Sequence, residues 1–287
     1  MLKFSVLLSV YKKENPEYLQ QALESIENQT LHPDEIVIVK DGVLTKKLDA
    51  CIETFKQSSQ SDVKIIAFTE NRGLGLALRD GVLACKYEYI ARMDTDDIAV
   101  NTRFEKQIKY LDQNPDIALL GSWVKEFSKN VDHPDTLTQL PCNDAEIRKF
   151  AKKRNPFRHM TVIFKKSAVI DSGNYRDFLW FEDYDLWVRM LQKGYKAANL
   201  AEYLVNVRAD DEMFARRGGW KYLKQDIRFQ AELYKSGFVN AGRLITNILI
   251  RSVMRLVPNW VRVLLYKNIL RKNGENSAES FCNSTCL

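Results

Sequence analysis

Four short apolar runs open the chain: Phe4 to Val10, Glu35 to Val39, Val63 to Phe68 and Tyr89 to Met93. Three longer stretches separate them, and their apolar residues recur at helical spacing. The clearest is Pro16 to Gln29, with Leu19, Ala22, Leu23 and Ile26; Leu44 to Gln57 and Leu74 to Cys85 follow the same pattern. Parallel strands need long crossovers, so this alternation restricts the first hundred residues to βαβ units and a largely parallel sheet with helices on its faces. Such sheets bind ligands outside the carboxyl ends of their strands. Those ends read Ser9-Val10-Tyr11, Lys40-Asp41-Gly42, Thr69-Glu70-Asn71-Arg72-Gly73 and Asp94-Thr95-Asp96-Asp97, and all four are expected on one rim.

The last of these ends crowds three carboxylates into four positions, and like charges raise one another's pKa unless something positive sits among them. A solvated turn, a divalent cation, or a substrate that brings its own cation would each account for it. An EF-hand loop would put Asp94, Asp96 and Glu105 at its positions 1, 3 and 12, but Ala99 stands where its glycine must be and Ile98 where a ligand must be. Asp94 and Asp96, two apart on an extended chain, point the same way at a strand end. Two such oxygens suit Mn²⁺ or Mg²⁺ shared with a substrate diphosphate.

Beyond Asn101 the pattern predicts a helix from Arg103 to Asn114, an apolar run from Ile117 to Val124, and an irregular polar region through Pro156. A second helix is expected from Glu182 to Lys193, with Gly194 as its stop, and the chain reads as helical after Gly218-Gly219. With 45% hydrophobic residues, 12 Gly and 7 Pro, the composition is that of a globular protein. MLKFSVLLSV runs into YKKEN where a signal peptide would have a small-residue cleavage site, so it reads as a buried first strand. Five scattered cysteines without a CxxC pair indicate neither a disulfide framework nor structural zinc, and fit a reducing cytosol.

Charge is unevenly spread. Arg216 to Leu287 holds 13 Lys and Arg against 4 Asp and Glu, a net of +9, which leaves the first 215 residues at −3 of the total +6. A basic tail points to an anionic surface. No recognition helix or aromatic-interleaved RNA motif is present, so nucleic acid is not expected. Between Leu244 and Leu270 the apolar sequence is interrupted by Arg251, Arg255, Arg262 and Lys267, too often for a membrane span. Arg251 and Arg255 share a helical face, which suits either a helix lying in an anionic leaflet or one packed on the body with its basic face in water.

Taken together, Ser9-Val10-Tyr11, VKDG, NRGLGLALRDG, ARMDTDDI, NPFRHMTVIF and FEDYDLWVRML resemble, in order, the family-2 glycosyltransferases of the GT-A fold over residues 4 to about 193. Among these the chain is most similar to bacterial enzymes that build O-antigen and lipopolysaccharide. The resemblance implies an α/β fold, a Rossmann-like and mostly parallel sheet flanked by helices, with a C-terminal helical appendage. It implies a catalytic domain over 1–215 (a nucleotide half to about residue 100 and an acceptor half after it), a basic amphipathic helical region over 216–272, and a tail over 273–287 expected to be disordered.

The resemblance also implies roles. Val10 and Tyr11 would line the base of a UDP-sugar, Asp41 would accept from the uracil imide, and Arg72 would contact uracil or phosphate. Asp94 would lie on the ribose side, Asp96 would hold the metal, and Asp97 would support both. Asp183 would be the catalytic base, with Glu182 beside it in acceptor binding. His159 would orient acceptor or phosphate, or serve as a structural histidine. Arg216 and Arg217, beside Gly218-Gly219, are expected to form a mobile flap over the diphosphate or a plain basic linker. Relatives carry a metal-binding His where this chain has Val207-Arg208-Ala209-Asp210-Asp211, which puts a third protein ligand in doubt.

The expected activity is inverting transfer of a hexose, galactose or glucose, from a UDP-sugar to a polyprenyl-diphosphate-linked saccharide, with Mn²⁺ or Mg²⁺. The expected location is the inner face of the bacterial cell membrane, held through the basic C-terminal helices. Two rivals remain. A nucleotidyltransferase would show a Gly-rich loop after its first strand, and SVYKKENPEY has no glycine. A non-catalytic saccharide- or lipid-binding module would form no product.

Overall fold

The computed structural model describes residues 2–209 and 218–257. Its first four strands are β1 (Phe4–Val10), β2 (Glu35–Lys40), β3 (Asp62–Ala67) and β4 (Tyr89–Arg92), joined by α1 (Pro16–Glu27), α2 (Lys46–Ser58) and α3 (Leu74–Ala84). All three pairings among these strands, β1 with β2, β1 with β4 and β2 with β3, are parallel. Then come β5 (Ile98–Ala99), α4 (Arg103–Gln113), β6 (Ile117–Phe127), β7 (Thr136–Thr138), α5 (Asp144–Ala151) and β8 (Ile163–Lys165). The series ends with α6 (Lys166–Asp171), α7 (Glu182–Gln192), β9 (Lys196–Arg208), α8 (Trp220–Lys235) and α9 (Ala241–Leu256). The strand order is β3-β2-β1-β4-β8-β6-β9-β5, with β7 on β6. The sheet is mixed on its second half, because β8 is antiparallel to both β4 and β6.

Buried residues divide by strand face. Phe4, Val6, Leu8 and Val10 of β1 pack under α1, α2 and α4, whereas Leu7 and Val37 and Val39 of β2 pack under α3, α5, α6 and α7. This is the period-two alternation of a sheet covered on both faces, and it explains why β1 reads as an unbroken apolar run. Caps fix the helix starts: Asn15 accepts from Glu17 N ahead of α1, with Pro16 at the first position, and Thr45 accepts from Leu48 N ahead of α2.

The strand β7 and the helix α5 stand in the region through Pro156 that reads as irregular from sequence. β9 runs beside β6 with shifts of register between Ile117 and Leu119 and on both sides of Trp123, which break the alternation a strand would otherwise show. A third aromatic cluster, Phe178, Phe181, Tyr184, Tyr222 and Phe229, seals α8 onto α7. The helix α9 lies against α8 through polar contacts. Arg251 and Arg255, read from sequence as a pair facing lipid or water, are instead turned inward onto Asp226, at 2.9 and 3.2 Å. The physical reason is that Asp226 is completely buried and needs cationic partners.

Candidate active site

The ends of β1, β2 and β4 converge as the alternation predicts. Val10 is buried and Tyr11 half-buried at the end of β1. Asp41, buried just past β2, accepts from Arg72 N at 2.7 Å, Asn71 Nδ2 at 2.9 Å and Gly73 N at 3.0 Å. Gly73 has no side-chain cap of its own, so Asp41 supplies the anionic oxygens at the head of α3 from another strand. A carboxylate has about four acceptor sites, and three are used, which leaves room for one more donor. Gly42 makes the approach possible: its φ is +89°, and a Cβ there would lie 2.7 Å from Asn71 N. Arg72 is held across the ring of Phe68, 4.6 Å from its centroid, and by Asp80 at 2.8 Å.

Past β4, exposure alternates: Asp94 and Asp96 are half-exposed, while Thr95 and Asp97 are buried. The backbone turns at Thr95-Asp96 instead of running on extended as the spacing predicted, and Asp94 and Asp96 are the two carboxylates of the series left half-exposed. Arg92 is buried and its Nη2 sits 2.5 Å from Asp94 Oδ1, so part of the crowded charge is neutralised from within. Arg103, also buried, donates to Arg92 O at 2.8 Å. Burial and the charge of Arg92 push its pKa down to about 9. Burial, then Asp96 and Asp94, raise the carboxyl of Asp97 well above its usual range; Arg208 N opposes this by donating to Asp97 Oδ1 at 2.9 Å. The guanidinium of Arg208 donates to Asp96 O at 3.2 Å and lies over Tyr18 at 3.8 Å, locking the acidic turn to the end of β9.

The second carboxylate pair opens α7. Asp183 Oδ2 accepts from Asn155 Nδ2 at 2.7 Å, and Oδ1 accepts from Tyr184 N at 2.7 Å. Burial raises Asp183 to about 6 against these two hydrogen bonds. Glu182 is pushed up to about 8, by burial first and the charge of Asp183 second. Its Oε2 is shielded from solvent and has no hydrogen-bond partner among the described residues. Asp94 acts electrostatically on both residues, so the two acidic groups belong to one site. Burial raises both carboxyls, and the two hydrogen bonds that Asp183 receives favour its charged form over that of Glu182.

The segment before the pair is strained. Trp180 has a φ of +68°, uncommon for so bulky a residue, and its ring stacks on Tyr222 of α8 at 4.7 Å. Gly75 of α3 packs against the same segment, because a Cβ there would meet Arg176 O at 2.3 Å.

Of the residues singled out from sequence, Val10, Tyr11, Asp41, Arg72, Asp94, Asp96 and Asp97 lie along the strand ends, with Glu182 and Asp183 facing them. His159 is buried behind this rim, its Nε2 3.1 Å from Tyr175 Oη. Burial and Arg92 push its pKa down to about 3, so it is neutral at physiological pH. Arg216, Arg217, Asp210, Asp211 and the 273–287 tail lie outside the described residues. Sequence reasoning passed over Asn155, Arg208 and Glu14. Glu14 follows the β1 end, bonds to Thr95 and is raised to about 7 by burial and Asp96. Its place two residues beyond Lys12 in the same loop as Tyr11 was the available signal. No group of three His, Cys, Asp or Glu that could hold a metal occurs among the described residues.

Comparison with known proteins accords with this geometry. The sequence model of Glycosyl transferase family 2 matches residues 5–173. The chain is 42% identical over 267 residues to the amylovoran biosynthesis glycosyltransferase AmsE of Erwinia amylovora, covering 92% of this chain and 98% of that one. It is 35% identical over 270 residues, 94% of this chain and 97% of the other, to an Escherichia coli UDP-Gal:alpha-D-GlcNAc-diphosphoundecaprenol beta-1,3-galactosyltransferase. In structure it is similar to S. aureus TarS in complex with UDP-GlcNAc, with a TM-score of 0.65 at 15% identity over 87% of this chain and 72% of that one. It is also similar to a mannosyltransferase from Pyrobaculum calidifontis in complex with GDP-Man and Mn²⁺, with a TM-score of 0.62 at 13% identity over 100% of this chain and 76% of that one.

Proposed function

The chain belongs to glycosyl transferase family 2 and has the GT-A fold, and from that premise we propose that it transfers a hexose, with inversion, from a UDP-sugar to a saccharide carried on a lipid diphosphate. Galactose is the favoured hexose and an N-acetylglucosamine terminus the favoured acceptor, on the strength of the Escherichia coli relative. A role in O-antigen or a related surface polysaccharide fits the named relatives. The observation that carries the reading is the carboxylate pair at the head of α7, with Asp183 held by Asn155 at 2.7 Å and in electrostatic reach of Asp94 after β4.

Asp183 accepts two hydrogen bonds that favour its charged form and is oriented by Asn155, as a general base requires. It takes the proton of the acceptor hydroxyl, which then attacks the anomeric carbon from the face opposite the departing UDP. Burial favours the protonated form of Glu182, which stands beside Asp183 on the acceptor side. Asp41 offers its remaining acceptor site to the uracil imide, with Val10 and Tyr11 beside the base. Arg72, fixed over Phe68, faces the same rim.

Asp96, half-exposed at the turn after β4 with Asp94 acting on the same neighbours, fits a cation held by one or two carboxylates and otherwise by the diphosphate. When bound, Mn²⁺ or Mg²⁺ would neutralise charge on the departing diphosphate. The test is a screen of UDP-Gal, UDP-Glc and UDP-GlcNAc against a synthetic N-acetylglucosaminyl-diphospho-lipid, reading both UDP release and product. Fastest turnover with UDP-Gal is expected. Release of UDP without a disaccharide product would refute the transfer.

A further inference from the structure

Between the end of α5 and Pro156 the chain makes a turn, residues 152–155, that carries Asn155 to Asp183. The side chains of Lys152, Lys153 and Arg154 are exposed and Asn155 is half-buried, so between buried Ala151 and buried Pro156 the turn contributes no side chain to the core. Its carbonyls are held instead. Ala151 O accepts from Tyr184 Oη at 2.5 Å, Lys152 O from Asn247 Nδ2 at 2.9 Å and Lys153 O from Arg251 Nη2 at 2.8 Å. Carbonyls at and just past a helix end have no partner inside the helix, and a buried one left unmade is expensive, so these three donors fix the path of the turn.

Two of the three donors come from α9. Asn247 and Arg251 stand one helical turn apart and face inward together. Each is also committed to α8: Asn247 Nδ2 gives its other hydrogen to Gln230 Oε1 at 2.8 Å, and Arg251 Nη1 pairs with the buried Asp226 at 2.9 Å. The planar guanidinium therefore spans α8 and the turn with one rigid fork. At the far end of the turn Asn155 is oriented as well. Its Oδ1 accepts from Phe157 N at 3.2 Å, which leaves Nδ2 for Asp183 Oδ2 at 2.7 Å. Tyr184, whose hydroxyl holds Ala151 O, supplies the N–H on Asp183 Oδ1. Both hydrogen bonds on Asp183 thus come from residues tied to this turn.

We propose that Asn247 and Arg251 of α9 are positioning residues of the active site, which hold the carbonyls of Lys152 and Lys153 and so aim Asn155 at Asp183. Their hydrogen bonds go to the turn and to α8, not to the carboxylate pair, so they act through the backbone. On this account α9 belongs to the machinery of the acceptor side and is not an appendage to it. That the hold matters to turnover rests on the proposed role of Asp183 as the base; the hold on Asn155 does not.

The experiment compares the full-length parent, Asn155→Ala, Asn247→Ala and the double variant by NMR titration of the Asp183 carboxyl, with kcat and UDP affinity measured on the same preparations. The bond from Asn155 favours the charged form of Asp183, so a loosened turn must raise its pKa. Asn247→Ala should make Asp183 titrate above the parent's value of about 6, with its charged neighbours Asp94 and Glu182 left in place. In the Asn155→Ala background it should add no further shift, because the two residues act in series. A fall in kcat of about tenfold with unchanged UDP affinity is expected, within the ~10²-fold that a displacement of about 1 Å can cost. An unmoved Asp183 titration in folded Asn247→Ala overturns the proposal, and so does a shift of equal size with and without Asn155. If Asn247→Ala does not fold, Arg251→Lys decides by the same readouts, since it keeps a positive charge beside Asp226 but loses the fork that also reaches Lys153 O. A moved titration with parental kcat upholds the positioning and refutes Asp183 as the base, so the two failures are told apart.

Discussion

Glu182 and Asp183 are neighbours in sequence, yet the fold drives their ionisation apart, to about 8 and about 6. The difference lies in their partners. Asp183 receives two hydrogen bonds that favour its charged form, and Glu182 Oε2 receives none among the described residues. Loss of the Asn155 donor must therefore raise the pKa of Asp183. Activity that depends on ionised Asp183 should rise with pH through about 6 in the parent, and Asn155→Ala should move that rise to higher pH. The check is kcat/KM against pH for both proteins; an unmoved acid limb would remove Asn155 from the account. Glu182 and Asp183 were legible in the sequence, as an acidic pair heading a helix after an aromatic run. Asn155 was not, because its bond spans 28 residues and depends on how the loop after α5 meets α7. Glu14 was hidden for a similar reason: between lysines and a proline it looks solvated, and only the approach of Asp96 makes it otherwise.

The four strands and three crossover helices of the first half were readable almost to the residue, since β1, β2 and β4, buried on both faces, are plain apolar runs and α1 and α2 carry side-chain caps. β8 was not, because three residues at the end of NPFRHMTVIFK have no periodicity to show. α9 was readable as an amphipathic helix but not in its direction. A periodic pattern defines two faces without saying which looks inward, and here one buried aspartate decides it. Asp226→Ala should leave Arg251 and Arg255, 15% and 9% exposed, without their counter-charge. Breaking a buried pair of this kind typically costs about 3–5 kcal/mol. Denaturant unfolding should show a loss of that order, with α9 released from α8; a change under about 1 kcal/mol would mean that the pairs are solvated.

The sheet places donor and acceptor chemistry on different parts of the chain. The ends of the parallel strands β1, β2 and β4 carry the nucleotide-facing residues, and α7, packed over the second half of the sheet, brings the pair that faces them, with Asp94 between. Removal of the cation with EDTA, or Asp96→Ala, should abolish transfer and weaken UDP-sugar binding; retention of most turnover in EDTA would remove the metal from the reaction. The claim that Asp183 works on the acceptor is tested most directly by Asp183→Asn, which keeps shape and loses the proton-accepting charge. Steady-state rates and a UDP titration on the same preparation, with Glu182→Gln as the control, give the answer. For Asp183→Asn, kcat should fall by about 10² to 10⁴ with UDP affinity unchanged, and the loss should be far smaller for Glu182→Gln, which keeps the shape of the protonated acid that burial favours. Near-normal kcat in Asp183→Asn, or loss of UDP binding along with activity, would contradict it.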